Sequence, residues 1–123
     1  MQALVVDDSR AMRTILTRLL DGLGFDVAQA EHGQAALDVL DAGFRADVAL
    51  VDWNMPVMDG LTFIKTCRAR EDLRDLTLMM VTTESEQSQI VRALAAGAHE
   101  YVIKPFTEET IAQKLSLLGL VPA

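Results

Sequence analysis

Five polar residues that could take part in chemistry each follow a short apolar segment of the chain. They are Asp7, Asp8, Asp52, Thr82 and Lys104. A carboxylate can act as a nucleophile toward phosphorus and form an aspartyl phosphate. That reaction needs little covalent help from the protein, but it needs positioning and neutralisation of the charge on the transferred group. These residue types therefore indicate phosphoryl transfer to an aspartate, if the fold brings them together.

The three carboxylates need a positive partner. Two like charges about 4 Å apart repel by about 1 kcal/mol in water and by about 4 kcal/mol at an effective dielectric of about 20. A hard divalent cation suits a set of oxygen ligands, and Mg²⁺ favours one or two carboxylates together with waters and a phosphate oxygen. The sequence thus predicts Mg²⁺ held near Asp7, Asp8 and Asp52. The alternative is that the Asp7–Asp8 pair only caps the helix that follows.

Lys104 and Thr82 fit the remaining needs of a phosphoryl group. A lysine supplies a mobile point charge for one phosphate oxygen. A threonine hydroxyl can donate a hydrogen bond to another. Taken one at a time, Lys104 could be a surface lysine and Thr82 an ordinary strand residue. Their joint placement at strand ends favours the functional interpretation.

The elements that must position these residues alternate between apolar runs and amphipathic stretches. We predict strands at residues 4–6, 25–30, 48–51, 78–81 and 101–103, and helices after Asp8, at 33–42, 61–70 and 84–96, and from Thr107. Spacing predicts that the inward faces of the first and fourth helices include Ile15, Val91 and Leu94. Such alternation implies a doubly wound α/β fold with a five-stranded parallel sheet. The expected strand order is 2-1-3-4-5, with the site beyond strands 1 and 3.

Length and composition limit the functions that this chain can have. Its 123 residues fit a single domain over 1–123, and an apolar share of 50% is not that of a disordered chain. A net charge of −7 argues against nucleic acid and anionic membrane surfaces as partners. No apolar run approaches the ~18 residues of a membrane span. The single cysteine, Cys67, excludes an internal disulfide, so we expect a cytoplasmic protein.

Four segments together carry a family resemblance. They are LVVDD at 4–8, DWNMPVMDG at 52–60, VTTE at 81–84 and YVIKPF at 101–106. In order and spacing the chain resembles the receiver domains of bacterial two-component response regulators, most closely the stand-alone chemotaxis regulators. The resemblance implies a flavodoxin-like fold for the whole chain. It also implies a signalling domain that assists its own phosphorylation and dephosphorylation, and not an enzyme.

The resemblance assigns roles around the acidic residues. Asp52 looks like the phosphoacceptor, which takes its phosphoryl group from a histidine kinase. Asp8 looks like a direct Mg²⁺ ligand and Asp7 like a ligand that acts mostly through water. The backbone carbonyl of Asn54 would complete the protein's share of the metal shell. Lys104 would contact the phosphoryl group.

The resemblance also implies a switch. Thr82 would move toward the phosphoryl group, and Tyr101 would rotate inward. Tyr101 could instead be a half-buried strand residue with its hydroxyl in water. The bond before Pro105 is expected to be cis and to aim Lys104 at the site. Asn54 and Glu84 flank the acceptor as in family members whose phosphorylated state is short-lived.

Partners and competing functions follow from the same comparison. A monomer would signal through its fourth helix, fifth strand and fifth helix to a protein such as a flagellar motor component, with a phosphatase as a further possible partner. A phosphate sink or relay component is the first alternative. A haloacid-dehalogenase-type phosphatase is another, but such enzymes carry a second aspartate where Asn54 stands. A flavodoxin-type binding module and a receiver-like domain that is never phosphorylated are the others.

Overall fold

The structure is a computed structural model and describes residues 1–122. Five strands and five helices alternate along the chain. The strands are β1 (Gln2–Val6), β2 (Asp26–Ala30), β3 (Val48–Val51), β4 (Thr77–Thr82) and β5 (Glu100–Ile103). The helices are α1 (Arg10–Gly22), α2 (Gly33–Asp41), α3 (Gly60–Ala69), α4 (Gln87–Ala96) and α5 (Glu108–Leu117), and one turn of 3₁₀ helix lies at Glu71–Leu73.

All strand pairs are parallel, and the sheet order is β2-β1-β3-β4-β5. This confirms the predicted doubly wound fold and its strand order. The four residues of β3 are all buried. Their side chains alternate between the two faces of the sheet, as strand geometry requires. A strand enclosed on both faces gives a rigid base to the residue that follows it, Asp52.

Two hydrophobic layers sandwich the sheet. The layer under α2, α3 and α4 includes Ala49 and Val51 from β3, and the layer under α1 and α5 includes Val48 and Leu50. The longest helix, α1, has 13 residues. Within residues 1–122, none of the helices combines the length and apolar character that crossing a membrane requires.

Side-chain caps fix where the helices begin. The hydroxyl of Ser9 accepts the Met12 N–H at the start of α1, so the cap belongs to Ser9 and not to the preceding acidic pair. Asp59 accepts the Thr62 N–H at the start of α3. The acidic residues at 7 and 8 thus need another explanation than capping.

Three details of the predicted helices are wrong. The fourth helix begins at Gln87 and not at residue 84, because Glu86 has an extended backbone and caps α4 through a capping box with Gln89. Val91 and Leu94 are exposed, since this helix buries Ala93 against the sheet and α3. Ile15 is also exposed, because α1 buries Leu16, Leu19 and Leu20 instead.

Arg68 and His99 lie at the opposite end of the sheet from the acidic residues, where they link the segments that lead into β4 and β5. The Arg68 guanidinium donates to the carbonyls of Gly97 at 2.7 Å and Leu76 at 2.9 Å. His99 Nδ1 accepts the Leu78 N–H at 3.2 Å and lies 3.1 Å from Arg68 Nη2. A guanidinium has only donors, so the imidazole must be neutral to accept both contacts. Burial and then the Arg68 charge lower the pKa of His99 below its ordinary value.

Stability is expected to depend on pH through His99. Because the pKa of His99 is lower in the folded state than in the unfolded chain, the unfolded state binds more protons below about pH 6.5. The free energy of unfolding should therefore fall as the pH falls through that value. Urea titrations at several pH values test this. His99→Asn keeps an acceptor but does not titrate, and it should remove the contribution of His99, so that the slope near pH 6.5 becomes smaller. An unchanged slope in this variant would contradict the assignment.

A second prediction concerns Thr17 in α1. Its Oγ1 is buried and has no hydrogen-bond partner within residues 1–122. Replacement of an unsatisfied hydroxyl by a methyl group removes a desolvation penalty, so Thr17→Val should raise the free energy of unfolding by about 1 kcal/mol in urea titrations. Thr14→Val is the matched control, because the Thr14 hydroxyl donates to the Arg10 carbonyl at 3.0 Å. Equal effects of the two substitutions would refute the explanation.

Candidate functional site

Asp7 is a buried acid at the carboxyl end of β1. Its backbone N–H donates to the Ala30 carbonyl at the end of β2, at 3.1 Å. Its Oδ1 accepts the Ser9 N–H at 2.9 Å, and the side chain of Arg13 donates to its carbonyl at 2.8 Å. Asp7 is only 1% exposed, whereas Asp8 is exposed to solvent. The pair thus offers one fixed and one accessible carboxylate.

Asp52 stands beside this pair because β3 lies next to β1. The Asp52 N–H donates to the Val6 carbonyl at 2.9 Å, which continues the ladder one residue beyond the strands. Its Oδ1 accepts the Trp53 N–H at 2.7 Å. A Cβ at Gly60 would lie 2.1 Å from the Asp52 carbonyl oxygen, so only glycine permits α3 to begin this close. The neighbouring strand and the start of α3 therefore hold the Asp52 backbone in place, and the Trp53 N–H holds its carboxylate.

Lys104 reaches the same point from β5. Its N–H donates to the Thr82 carbonyl at 2.8 Å, and its bond to Pro105 is cis, as the family resemblance implies. The ammonium lies 2.8 Å from Asp7 Oδ2 and 3.4 Å from Asp52 Oδ2. All three side chains are largely buried. One lysine thus bridges two acids that arrive from two different strands.

The acids form a potential metal site. One oxygen from each of Asp7, Asp8 and Asp52 lies within 4.8 Å of the others. Oxygen donors at such spacing suit a hard divalent cation. Burial raises the pKa of the Asp52 carboxyl above its ordinary value, while Lys104 acts in the opposite direction. The pocket favours a neutralised Asp52, whether by a proton, the lysine or a metal ion.

Thr82 and Tyr101 meet at the backbone of Glu84. The Glu84 N–H donates to Thr82 Oγ1 at 3.3 Å, and the Tyr101 hydroxyl donates to the Glu84 carbonyl at 2.6 Å. The hydroxyl of Thr82 also lowers the pKa of the Asp52 carboxyl. Tyr101 is a buried strand residue, and its hydroxyl bonds protein rather than water. Burial and then the Glu84 and Asp52 charges raise the pKa of Tyr101.

The structure brings together all five residues from the strand ends. The side chain of Asn54 lies at the mouth of the same site and donates to Glu84. Sequence reasoning missed two contributors, namely Arg13 and Gln89, the second of which donates to Glu84 at 2.8 Å. On the same helix as Gln89, the Arg92 guanidinium carbon lies 5.7 Å from the centre of the Trp53 ring. The only signal in the sequence is their spacing along a helix. That spacing predicts which residues share a helix face, but not which loop the face contacts.

The sheet order and the acidic pocket together define the receiver class of signalling domains, which are not classical enzymes. The model of the response regulator receiver domain family matches residues 3–116. The chain therefore belongs to that family. This membership argues against the phosphatase and flavodoxin-type alternatives.

The chain is similar over almost its whole length to chemotaxis proteins. It is 42% identical over 119 residues to chemotaxis protein CheY1 of Helicobacter pylori strain J99, covering 96% of each chain. It is also 42% identical over 116 residues to chemotaxis protein CheY of Pseudomonas aeruginosa, covering 94% of this chain and 93% of that protein. These relatives are stand-alone receivers of similar length, as the resemblance indicated.

Solved structures show the same fold. Vibrio cholerae CheY4 superimposes with a TM-score of 0.88 at 34% identity, covering 94% of this chain and 96% of that one. The receiver domain of the Pseudomonas aeruginosa sensor kinase PA1611 superimposes with a TM-score of 0.85 at 28% identity, covering 94% of each chain. That domain was solved with a magnesium ion coordinated in its active-site cleft.

The bridge made by Lys104 can be tested through stability. Lys104→Met would leave Asp7 and Asp52 without their cation, and breaking such a buried pair costs about 3 kcal/mol. The pKa of Asp52, already raised, should rise further, so the variant should lose stability as the pH rises toward neutrality. Mg²⁺ should stabilise the variant more than the wild type.

Urea titrations with and without MgCl₂ at two pH values measure these effects. Lys65→Met is the control, because Lys65 is an exposed lysine on α3. A Lys104→Met variant with wild-type stability and pH dependence would show that the bridge contributes nothing.

Proposed function

We propose that this chain is a phosphorylation-dependent switch of chemotaxis signalling, with Asp52 as the acceptor. The observation that carries the proposal is the bridge from Lys104 to Asp7 and Asp52 beside a cluster of three acids. The similarity to stand-alone CheY proteins supports a role in chemotaxis. In the proposed reaction an Asp52 oxygen bonds to phosphorus while the bond from phosphorus to a kinase histidine nitrogen breaks. That nitrogen keeps the electron pair.

Asp7, Asp8 and Asp52 would hold the metal ion, which we propose is Mg²⁺, with the Asn54 carbonyl as a further ligand. When bound, Mg²⁺ neutralises charge on the phosphoryl oxygens. The Lys104 ammonium lies 3.4 Å from Asp52 Oδ2, so it would reach an oxygen of a phosphoryl group on Asp52 with only a small movement. Thr82, which lowers the pKa of Asp52, would offer its hydroxyl as a second donor. The chain's own part is therefore to orient Asp52 and to offer two donors for the transferred group.

The switch would use Thr82 and Tyr101. A phosphoryl group adds about −1.5 to −2 charge and three strong acceptors, and it can bias an equilibrium only through contacts that differ between two states. Thr82 supplies one such contact. Tyr101 shares the Glu84 backbone with it, so a shift of Thr82 is passed to the tyrosine. We propose that the inward position of Tyr101 is the state that phosphorylation favours.

The output would pass through α4, β5 and α5 to a protein partner. Four large apolar side chains stand exposed on these elements, namely Val91, Leu94, Ile103 and Leu117. Exposed apolar groups of this kind fit a protein-binding face. The proposed partners are a cytoplasmic histidine kinase as donor, a motor component or other effector as target, and a phosphatase.

Beryllofluoride, which mimics a phosphoryl group, tests the acceptor. Trp53 follows Asp52 directly and is the chain's single tryptophan, so its emission reports on the site. Beryllofluoride with Mg²⁺ should change the emission of the wild type, and omission of Mg²⁺ should abolish the effect.

Asp52→Asn is the matched control for this measurement, since it keeps the size of the side chain but removes the nucleophile. The same emission change in this variant would place the acceptor elsewhere. Radiolabelled acetyl phosphate should likewise label the wild type and leave the variant unlabelled.

A further inference from the structure

Glu84 is held at its carboxylate by two side chains from different elements. The Asn54 amide donates to Oε1, and the Gln89 amide donates to Oε2 at 2.8 Å. Asn54 lies two residues after Asp52, and Glu84 lies two residues after Thr82. The chain of contacts from Asn54 through Glu84 to Gln89 therefore ties together the loops that follow β3 and β4. We name it the Glu84 bridge.

Gln89 has a second contact, so its effect on Glu84 can be separated from its effect on the helix cap. Its Oε1 accepts the Glu86 N–H at 3.3 Å and completes the capping box of α4. The amide nitrogen of Gln89 thus holds Glu84, while its oxygen caps the helix. A glutamate at this position would keep the capping oxygen and lose the donor. It would also place a second negative charge next to Glu84.

We propose that Gln89 is a positioning residue that holds the Glu84 bridge closed over Asp52 and so slows the loss of the phosphoryl group. The inference rests on the proposed function of Asp52. Hydrolysis requires a water oxygen to bond to phosphorus while the bond from phosphorus to the Asp52 oxygen breaks. The products are the free carboxylate and dihydrogen phosphate, which keeps both protons of the water.

The position of the bridge explains why it would matter for that step. The water and the leaving Asp52 oxygen lie roughly in line through phosphorus, so the water approaches from the side opposite Asp52. Asp52 follows β3 and Thr82 ends β4, so the loops that carry Asn54 and Glu84 leave the sheet at neighbouring strand ends. The hydrogen bond between the exposed Asn54 and the half-buried Glu84 joins these two loops. Release of Glu84 from Gln89 opens the same path for water and for small phosphodonors.

The same helix offers a control that separates this effect from general loosening. Arg92 lies one turn after Gln89 on α4 and stacks on the ring of Trp53. It also anchors α4 near the acceptor, but it makes no contact with the Glu84 bridge among the hydrogen bonds of residues 1–122. Arg92→Gln keeps helix propensity and removes the stacking. Only Gln89 should affect the rates if the bridge is the cause.

The experiment measures how fast label is gained from radiolabelled acetyl phosphate with Mg²⁺ and how fast it is lost after removal of the donor. Gln89→Glu and Gln89→Ala should accelerate both rates by roughly twofold to tenfold, the factor that corresponds to the net loss of one hydrogen bond. Arg92→Gln should keep the wild-type rates. The reciprocal exchange E84Q with Q89E restores a donor and an acceptor, so its loss rate should return from that of Gln89→Glu toward the wild-type rate.

The outcomes are distinguishable. Unchanged rates in Gln89→Glu, with the wild type labelled at Asp52, would overturn the role of Gln89 and leave the proposed function standing. Equal acceleration in Arg92→Gln would show that α4 anchoring is the cause and would also overturn it. A wild type that takes no label would contradict the proposed function and this inference with it. Urea titration of each variant checks that Gln89→Glu retains the stability that its capping oxygen provides.

Discussion

The site depends on one ammonium group placed between two carboxylates. Lys104 contacts Asp7 at 2.8 Å and Asp52 at 3.4 Å, with Asp8 in the same cluster. Three carboxylates and one ammonium leave two formal negative charges, which a divalent cation would cancel. Because burial raises the pKa of Asp52, the carboxylate is disfavoured until a cation is near. The raised pKa of Asp52 and the need of this site for a cation therefore have the same electrostatic origin.

The sheet makes this arrangement possible because, at three places, the backbone hydrogen bonds between neighbouring strands continue one residue beyond the strand end. The N–H groups of Asp7, Asp52 and Lys104 donate to Ala30, Val6 and Thr82 on the neighbouring strands. Each site residue is thus anchored by its backbone, and its side chain projects from a fixed point. Parallel strands end at the same edge, so anchors from β1, β3 and β5 converge. Side-chain packing alone would not fix them to the same precision.

These facts explain which parts could be predicted from the sequence. A polar residue directly after a buried apolar run marks a strand end, and that rule predicts that Asp7, Asp52 and Lys104 follow the ends of β1, β3 and β5. Helical spacing was a weaker guide. It placed Val91 inward, but α4 packs near the edge of the sheet and buries only the stripe through Ala93. The contact of Gln89 with Glu84 depends on the path of a loop, which no local pattern encodes.

Glu84 explains why this end of the sheet acts as a unit. Its N–H donates to Thr82, its carbonyl accepts from Tyr101, and α4 begins three residues later with Glu86 as its cap. One residue thus contacts the hydroxyl of Thr82, the hydroxyl of Tyr101 on β5 and, through its carboxylate, Gln89 in the first turn of α4. Packed interiors favour discrete arrangements over gradual deformation, so such a junction suits a two-state response.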